Sequence, residues 1–583
     1  MTRLGRFLRD VWTLARPYWF SEDRWPARGL LAVLVALNLG LVYLNVLFNE
    51  WNNAFYNTLQ DKDSAAFGQQ LIRFTWLAAL FIVVAVYQLY LNQMLQIRWR
   101  RWLTDRYLRA WLADRAYYRM QLAGGGADNP DQRIAEDARL FVTRTLTLSL
   151  GLLSAIVTLV SFIAILWRLS GALTLPLGAH GVAVPGYMVW VALVYAVVGT
   201  WLTAKIGRPL VQLNFDQQRF EADFRFSLVR LRENAEGVAL YAGEADEQEN
   251  FRGRFAEVVA NWWGIMRQQK RLTWFTAGYN QIAIIFPFVV AAPRFFRGEI
   301  PLGGLMQTAQ AFGQVQQALS FIVNSYAEIA EWESVVNRLV GFQHAIDRAR
   351  RTPVGVDGIR VGAGEDPALA LEGVDLLLPD GRPLLGEVTL SLAPGDTILL
   401  TGPSGSGKST LFRAIAGIWP FGQGAIRLPA GARILFLPQK PYLPIGTLRE
   451  VVSYPAPRAG VGDAVIAEAL TACELPDLAR RLDEAGNWAL QLSPGEQQRI
   501  AFARALVQRP DWLFLDEATS ALDEETEARL YTLLRARLPK TTVTSIGHRP
   551  TLGPFHSRRL VIANADHGAA ASIVEPAAEA VTP

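Results

Sequence analysis

Long apolar runs interrupted by basic stretches occupy the first 325 residues or so. Short β-rich runs alternating with helical patterns fill the rest. Six apolar runs, at roughly 29–48, 71–95, 145–167, 187–206, 274–293 and 303–327, each approach the ~20 residues that a bilayer requires. The segments after the second and fourth runs are long and helical in pattern, as in QIRWRRWLTDRYLRAWLADRAYYRM, so the second to fifth spans are expected to continue beyond the membrane. The opening MTRLGRFLRDVWTLARPYWF is basic and amphipathic. Residues 1–28 therefore read as a helix on the membrane surface, not as a cleavable leader.

The sixth run has a pattern of its own. Gln307, Gln310, Gln314, Gln317, Asn324 and Glu328 recur at steps of three and four or their sum, which places them on one helical face. Facing lipid, each unpaired amide would cost about 1–3 kcal/mol. The stripe is thus expected to line an interior path, with hydrogen bonding between helices as the other reading. It holds amides and no cation, which suits neutral or cationic polar cargo better than a multiply charged anion.

Charge adds direction. Lys and Arg number six in 1–28, one in 49–70, ten in 93–144, none in 169–186, eleven in 205–272 and two in 294–301. Basic loops stay on the cytoplasmic side, so both termini are expected inside, with six crossings. The net charge of +4 decides little, since arginine-rich loops suit anionic lipid as well as nucleic acid, but the six spans argue against a nucleic-acid partner. A single cysteine, Cys473, excludes an intrachain disulfide.

A Gly/Pro-rich stretch near 349–369 separates the halves, giving an expected organisation of 1–28, a membrane domain at 29–345, a linker at 346–369 and an α/β domain at 370–583. DTILLTGPSGSGKSTLFRAIAG reads as strand, glycine loop and helix. Gly402, Gly405 and Gly407 allow backbone N–H groups to curl around phosphates, Lys408 reaches their oxygens, and the Ser409 hydroxyl suits Mg²⁺. In WLFLDEATSALD, an apolar strand ends in Asp516, which supports the metal, and Glu517, which orients or deprotonates the attacking water. In LSPGEQQRIAFARAL, Ser493 with Glu496 forms a capping-box pattern and Pro494 fits the first helical position, which leaves a helix N-terminus suited to an anion.

The order of glycine loop, Gln439 in ILFLPQ, capped helix, Asp-Glu, SALD and His548 resembles the nucleotide-binding domain of ATP-binding-cassette (ABC) transporters over about 200 residues. The resemblance implies that Gly402, Pro403, Ser404, Gly405, Ser406, Gly407, Lys408, Ser409 and Thr410 hold ATP, with Gln439 and Asp523 also in the site. Ser409, Gln439 and Asp516 would hold Mg²⁺. Glu517, His548 and Lys408 would act in hydrolysis. Ser493 and Gly495 would meet the nucleotide bound by a second copy. Pro494 and Glu496 stand where the family usually has Gly and Gln, and no adenine-stacking aromatic is evident in GVDLLLPDGRPLL.

NPDQRIAEDARLF, ENAEGVALYAGEADE and NEWNNAFYNTLQDKD are similar to the BacA-like bacterial group, related to the SbmA peptide importers, and to subfamily D, the peroxisomal fatty acyl-CoA transporters. The first two segments fall where that family places helices that dock on the ATPase. The expected fold is a six-helix membrane α-helical bundle of exporter type fused to an α/β ABC domain. The expected protein is a homodimer in the bacterial inner membrane that moves peptides or other hydrophilic cargo, with import implied by the BacA-like group. A carrier of acyl-CoA or other lipid-like cargo, and a regulatory membrane ATPase that moves nothing, remain as alternatives.

Overall fold

The computed structural model describes residues 3–122, 129–175, 182–351, 358–455, 460–563 and 572–574. The chain divides into two compact units: Met1–Trp111 with Ala127–Ala345, and Leu112–Gly126 with Ile346–Pro583.

The first unit is helical. An entry helix, α1 (Arg3–Trp19), is followed by α2 (Arg24–Gln60) and α3 (Ser64–Leu112), of which the last residue falls in the second unit. A short α4 (Ala116–Leu122), also in the second unit, precedes α5 (Pro130–Gln132), a π turn at Arg133–Asp137 and α6 (Ala138–Ser170). A hairpin of β1 (Ala172–Leu175) and β2 (Val182–Pro185) leads to α7 (Tyr187–Glu233), α8 (Ala235–Leu240) and α9 (Glu244–Phe296). The last helical stretch comprises α10 (Leu302–Leu319), α11 (Phe321–Asn324) and α12 (Tyr326–Arg351). Helical hydrogen bonds bridge its two irregular points, from the N–H of Ser320 to the carbonyl of Gln316 and from that of Ser325 to Phe321.

Among the described residues, five helical stretches are long and apolar enough to cross a membrane: Arg24–Gln60, Ser64–Leu122, Pro130–Ser170, Tyr187–Glu233 and Glu244–Phe296. The sixth expected span, around α10, is too polar to qualify on composition. It is instead surrounded by α2, α6, α7 and α9. Its apolar side (Ala311, Phe312, Val315) packs with Phe162, Leu166, Met188 and Ala192, so protein replaces lipid around it.

The other side of α10 meets α2 through a ladder of amides. Asn49 Nδ2 donates to the Gln307 carbonyl and to Gln310 Oε1, both at 3.1 Å. Asn52 Nδ2 donates to Gln310 Oε1 at 2.6 Å, and Asn53 Nδ2 to Gln307 Oε1 at 2.6 Å. The same helix caps α10, because Asn57 Oδ1 and Gln60 Oε1 accept from the N–H groups of Gly303 and Leu302 at 2.9 and 2.6 Å. Two orphan donors of a helix start are thereby satisfied from a neighbouring helix. The segment at 129–133, expected to dock on the ATPase, is anchored within the first unit by an ion pair. Arg133 is buried in this first unit and pairs with Asp137 at 2.8 Å, and Asp137 also accepts from Arg338 at 2.6 and 2.9 Å. A buried guanidinium needs its counter-ion close by, and Asp137 supplies it.

In the second unit, the strands are β3 (Arg360–Gly364), β4 (Leu369–Leu377), β5 (Pro383–Leu392), β6 (Thr397–Thr401), β7 (Gly422–Pro429), β8 (Ile434–Leu437), β9 (Gly446–Thr447), β10 (Ala485–Gly486), β11 (Trp512–Asp516), β12 (Thr542–Ile546), β13 (Arg558–Ala563) and β14 (Ser572–Val574). The helices are α13 (Lys408–Ile415), α14 (Leu448–Ser453), α15 (Asp463–Ala472), α16 (Trp488–Gln491), α17 (Pro494–Gln508) and α18 (Glu524–Arg537). Strands β13, β6, β12, β11 and β8 run parallel in that spatial order, and β14 closes one edge antiparallel. A four-stranded sheet, β3–β7–β4–β5, forms the second layer. The runs TILLT and WLFLD are continuously apolar because a parallel strand is covered on both faces.

The stretch read as a linker, 346–369, is partly structured. Helix α12 continues to Arg351 and β3 pairs with β7, while 352–357 lie outside the described residues. Residues 112–122 belong to this unit, where Arg115 donates to the Ala416 carbonyl, Asp114 pairs with Arg350 at 2.9 Å and Leu122 packs on the sheet core.

The α2–α10 contact leaves no room for a side chain at Gly303, where an added Cβ would sit 2.1 Å from the Asn53 carbonyl oxygen. Gly303→Ala should therefore destabilise the membrane unit by about 1–3 kcal/mol. Gly304→Ala, whose Cβ meets only ordinary contacts from 3.4 Å outward, should not. Thermal unfolding of the two purified variants checks this, and equal midpoints would remove the close α2–α10 approach as a constraint.

Candidate nucleotide site and membrane cavity

The phosphate-type loop joins β6 to α13. Gly402, with φ +151°, has the Ile562 carbonyl oxygen 2.9 Å from where a Cβ would lie. Gly407, with φ +95°, approaches Leu384 to 3.1 Å. Both conformations and both contacts favour glycine. Pro403, Ser404 and Gly405 form the exposed tip, whereas Ser406, Gly407 and Lys408 are buried. Lys408 Nζ donates to the carbonyls of Gly402 and Pro403 at 2.9 and 2.7 Å, which curls the loop back over the helix start. Burial draws the Lys408 pKa below the ordinary lysine value, with Glu517 and Asp516 pulling the other way. No side chain caps α13 at Gly407, and the buried Ser406 Oγ has no hydrogen-bond partner. Free N–H groups, a cation and an orphaned hydroxyl fit a nucleotide's phosphates.

Asp516 and Glu517 stand at the end of β11. Asp516 Oδ1 accepts from Ser409 Oγ at 2.8 Å, and burial raises its pKa above the usual aspartate value. Glu517 has φ +48°, an unusual conformation for a non-glycine residue, and its N–H donates to the Ile546 carbonyl at 3.1 Å. Its carboxylate lies between two side chains from separate strand ends. Gln439 Nε2 donates to Oε2 at 3.0 Å, and His548 Nε2 lies 3.2 Å from Oε1. Five of the expected residues, Ser409 with Asp516 and Gln439 and His548 around Glu517, thus meet at the carboxyl ends of parallel strands, where open α/β sheets place ligands. Thr410 sits in the first turn of α13.

The capped helix forms as the spacing predicts. Ser493 Oγ accepts from the Glu496 N–H at 3.3 Å, Glu496 Oε2 accepts from the Ser493 N–H at 2.9 Å, and Pro494 opens α17. Ser493 also donates its hydroxyl to Glu496 at 2.7 Å, and these bonds hold the Glu496 carboxyl below the usual glutamate range. Gly495 admits the loop before α18, with Leu522 and the Ala521 carbonyl 3.2 and 3.3 Å from its would-be Cβ. Asp523 caps α18 by accepting from the Thr526 N–H at 2.8 Å. Among the described residues, no hydrogen bond or ion pair joins Ser493 or Gly495 to 402–410 of the same chain.

Sequence reasoning passed over Gln498. It is buried in α17, donates to the Gln439 carbonyl at 3.0 Å and to Ser520 Oγ at 3.1 Å, and accepts from the Ala521 N–H at 3.0 Å. One amide therefore fastens the capped helix to the loop that carries Gln439. A polar residue on the core side of α17 was the available signal.

In the membrane unit, the stripe divides. Gln307 is only 8% exposed and bonded to Asn53, so it is part of the α2 contact. A cavity of about 470 Å³ is lined by Gln310, Gln314, Gln317 and Asn324, together with Gln316 and Asn280. Gln310 serves both surfaces. Asn280, on α9, completes the lining and was legible, beside Gln281, as a polar interruption of the apolar run GYNQIAII. Asn324 also borders a second cavity of similar volume, which reaches Arg144. Arg144 is paired there with Glu328 at 3.2 Å and Glu331 at 2.7 Å.

Family models match both units, "ABC transporter transmembrane region 2" over residues 14–296 and "ABC transporter" over 385–520. An uncharacterized ABC transporter ATP-binding protein of Synechocystis is 39% identical over 93% of this chain and 81% of its own length. The Escherichia coli inner membrane ABC transporter ATP-binding protein YddA is 35% identical over 92% and 94%. The human lysosomal cobalamin transporter ABCD4 is 29% identical over 95% and 93%. The fold is similar to that of a bacterial Atm1-family ABC exporter with ATP bound (TM-score 0.71, 19% identity, 91% of this chain and 94% of that one). A membrane domain, an ATP-hydrolysing cassette and relatives that share nearly the whole length converge on one conclusion: the chain belongs to the ABC transporter family.

Proposed function

We propose that this chain is one half of a homodimeric transporter that moves peptides or other large hydrophilic molecules inward across the bacterial inner membrane, with both termini cytoplasmic. The observation that carries the cargo class is the amide cavity. Its lining of Asn280, Gln310, Gln314, Gln316, Gln317 and Asn324 contains no Lys or Arg. Amides exchange hydrogen bonds with peptide groups and neutral polar molecules, whereas a CoA thioester would require cations for its phosphates. The similarity to the BacA-like group supports the inward direction. ATP bound at 402–410 supplies the phosphoanhydride whose hydrolysis drives the cycle.

Ser409 Oγ, the Asp516 carboxylate and Gln439 would hold Mg²⁺. Glu517, fixed on both oxygens by Gln439 and His548, is set to orient a water and take its proton. Among the described residues Ser493 and Gly495 make no hydrogen bond or ion pair with their own chain's loop, so a second copy would bring them to it. Leu240 and Tyr241, 79% and 89% exposed at the end of α8, lie in the second segment that the resemblance assigns to docking on the ATPase.

Three measurements test this reading. Glu517→Gln should keep ATP binding while turnover falls by about two to four orders of magnitude; hydrolysis within a few-fold of wild type would remove Glu517 from the role of base. Mixing Lys408→Ala chains with Ser493→Arg chains should restore activity, since one site in each mixed dimer carries both lesions and the other none. Mixed dimers no more active than either parent would rule out sites shared between chains. Gln314→Leu with Gln317→Leu should preserve basal hydrolysis and folding yet abolish peptide-stimulated hydrolysis and uptake into proteoliposomes, because each unmet hydrogen bond costs about 1–3 kcal/mol. Gln307→Leu should instead lower thermal stability first. The reverse order of damage would assign the cavity to packing.

A further inference from the structure

We infer that the junction of α1 and α2 binds the phosphate headgroup of an anionic phospholipid. The exposed side of α1 presents Arg6, Leu8, Arg9, Trp12, Thr13 and Arg16, and the helix's one acid, Asp10, is partly buried. That side combines cations with large apolar groups and offers no exposed carboxylate. Leu14, Ala15 and Tyr18 fill the opposite side, and Tyr18 stacks on Trp99 with ring centroids 5.3 Å apart, so the orientation of α1 is fixed.

Where the chain turns into α2, two guanidinium groups converge on one ring. Arg28 lies 4.9 Å and Arg16 5.7 Å from the Phe20 centroid, and Arg28 is also 5.8 Å from that of Trp25. Arg28 is held there by donating twice to the Trp19 carbonyl, at 2.8 and 3.1 Å. Phe20 and Trp25 are themselves 59% and 70% exposed. The two cations repel each other, and among the described residues no carboxylate pairs with either. Asp23, in the same turn, faces Arg98 and Arg101, each at 3.8 Å, and the exposed Glu22 pairs with neither Arg16 nor Arg28.

A phosphodiester between the two arginines would offset that repulsion, and guanidinium donors match its oxygens. The exposed Phe20 and Trp25 rings sit beside the start of the apolar run of α2, as aromatic residues do at the level of lipid headgroups. Charge and aromatic surface together favour a lipid over free phosphate, which could use the arginines but not the rings. A neutral zwitterionic lipid would bring its own cation to the arginines and gain less.

The test uses the full-length protein, delipidated in neutral detergent and titrated with phosphatidylglycerol, phosphatidylcholine or inorganic phosphate, with bound lipid counted by native mass spectrometry. Wild type should retain phosphatidylglycerol roughly tenfold more tightly than phosphatidylcholine, and excess inorganic phosphate should not displace it. R16Q/R28Q should lose that preference and keep basal ATP hydrolysis, while R168Q, which alters an arginine at the far end of α6, should behave as wild type. Arg16 makes no hydrogen bond among the described residues, so R16Q alone should still show a severalfold loss if the double variant does not fold. Equal retention of the two lipids, or an unchanged preference in R16Q and R16Q/R28Q, overturns the site. Displacement by inorganic phosphate overturns the lipid as its occupant.

Discussion

An amide inside a bilayer must find a hydrogen-bond partner or face a cavity that holds water, and the membrane unit is organised around that constraint. Helix α10 carries amides along one side and is surrounded by α2, α6, α7 and α9. Toward its start, Asn49, Asn52 and Asn53 satisfy Gln307 and Gln310, and Asn57 and Gln60 cap the first turn. The close approach that allows this needs Gly303. Further along, among the described residues, no side chain bonds to the amides of Gln314, Gln317 and Asn324, and they line a cavity. One helical face thus performs two tasks, joining helices at one end and presenting polar groups at the other.

The same economy applies in the ATPase unit, where carboxylates and amides link elements far apart in sequence. Glu517 gathers Gln439 and His548, which follow β8 and β12. Gln498 ties α17 to the Gln439 carbonyl and to the loop after Glu517. A displacement of α17 would be felt at Gln439 through a single buried side chain. The ring of contacts connects the surface proposed to meet a second copy with the carboxylate proposed to act on water. The capping box adds rigidity, since Ser493 and Glu496 satisfy each other before any ligand arrives.

Much of this was legible in the sequence because it depends on local spacing. The glycine loop, the capped start of α17 and the apolar strands beneath Asp516 are each written within a dozen residues, and local sterics and hydrogen bonding suffice to form them. The 3-4 repeat likewise placed the glutamines on one face. It could not divide them between partner and cavity, because that depends on Asn49, Asn52 and Asn53, more than 250 residues earlier. The local pattern around Arg133 and Asp137 also gave no sign of the buried ion pair that Arg338 extends, because Arg338 lies about 200 residues later, nor that 112–122 belongs with the ATPase unit. The linker reading of 346–369 missed β3 because VGAG has little side chain to announce a strand, and its identity comes from hydrogen bonding to β7.

By itself, then, the sequence determined the two-part architecture, the membrane character of the first part and the phosphate-handling chemistry of the second. Each rests on hydropathy or on motifs whose parts lie close together. Only the tertiary structure decided which amides are satisfied, which side chains hold Glu517, and that the polar sixth helix is enclosed by other helices. These are matters of long-range pairing, in which a side chain's role is set by the partner that the fold brings within hydrogen-bonding distance.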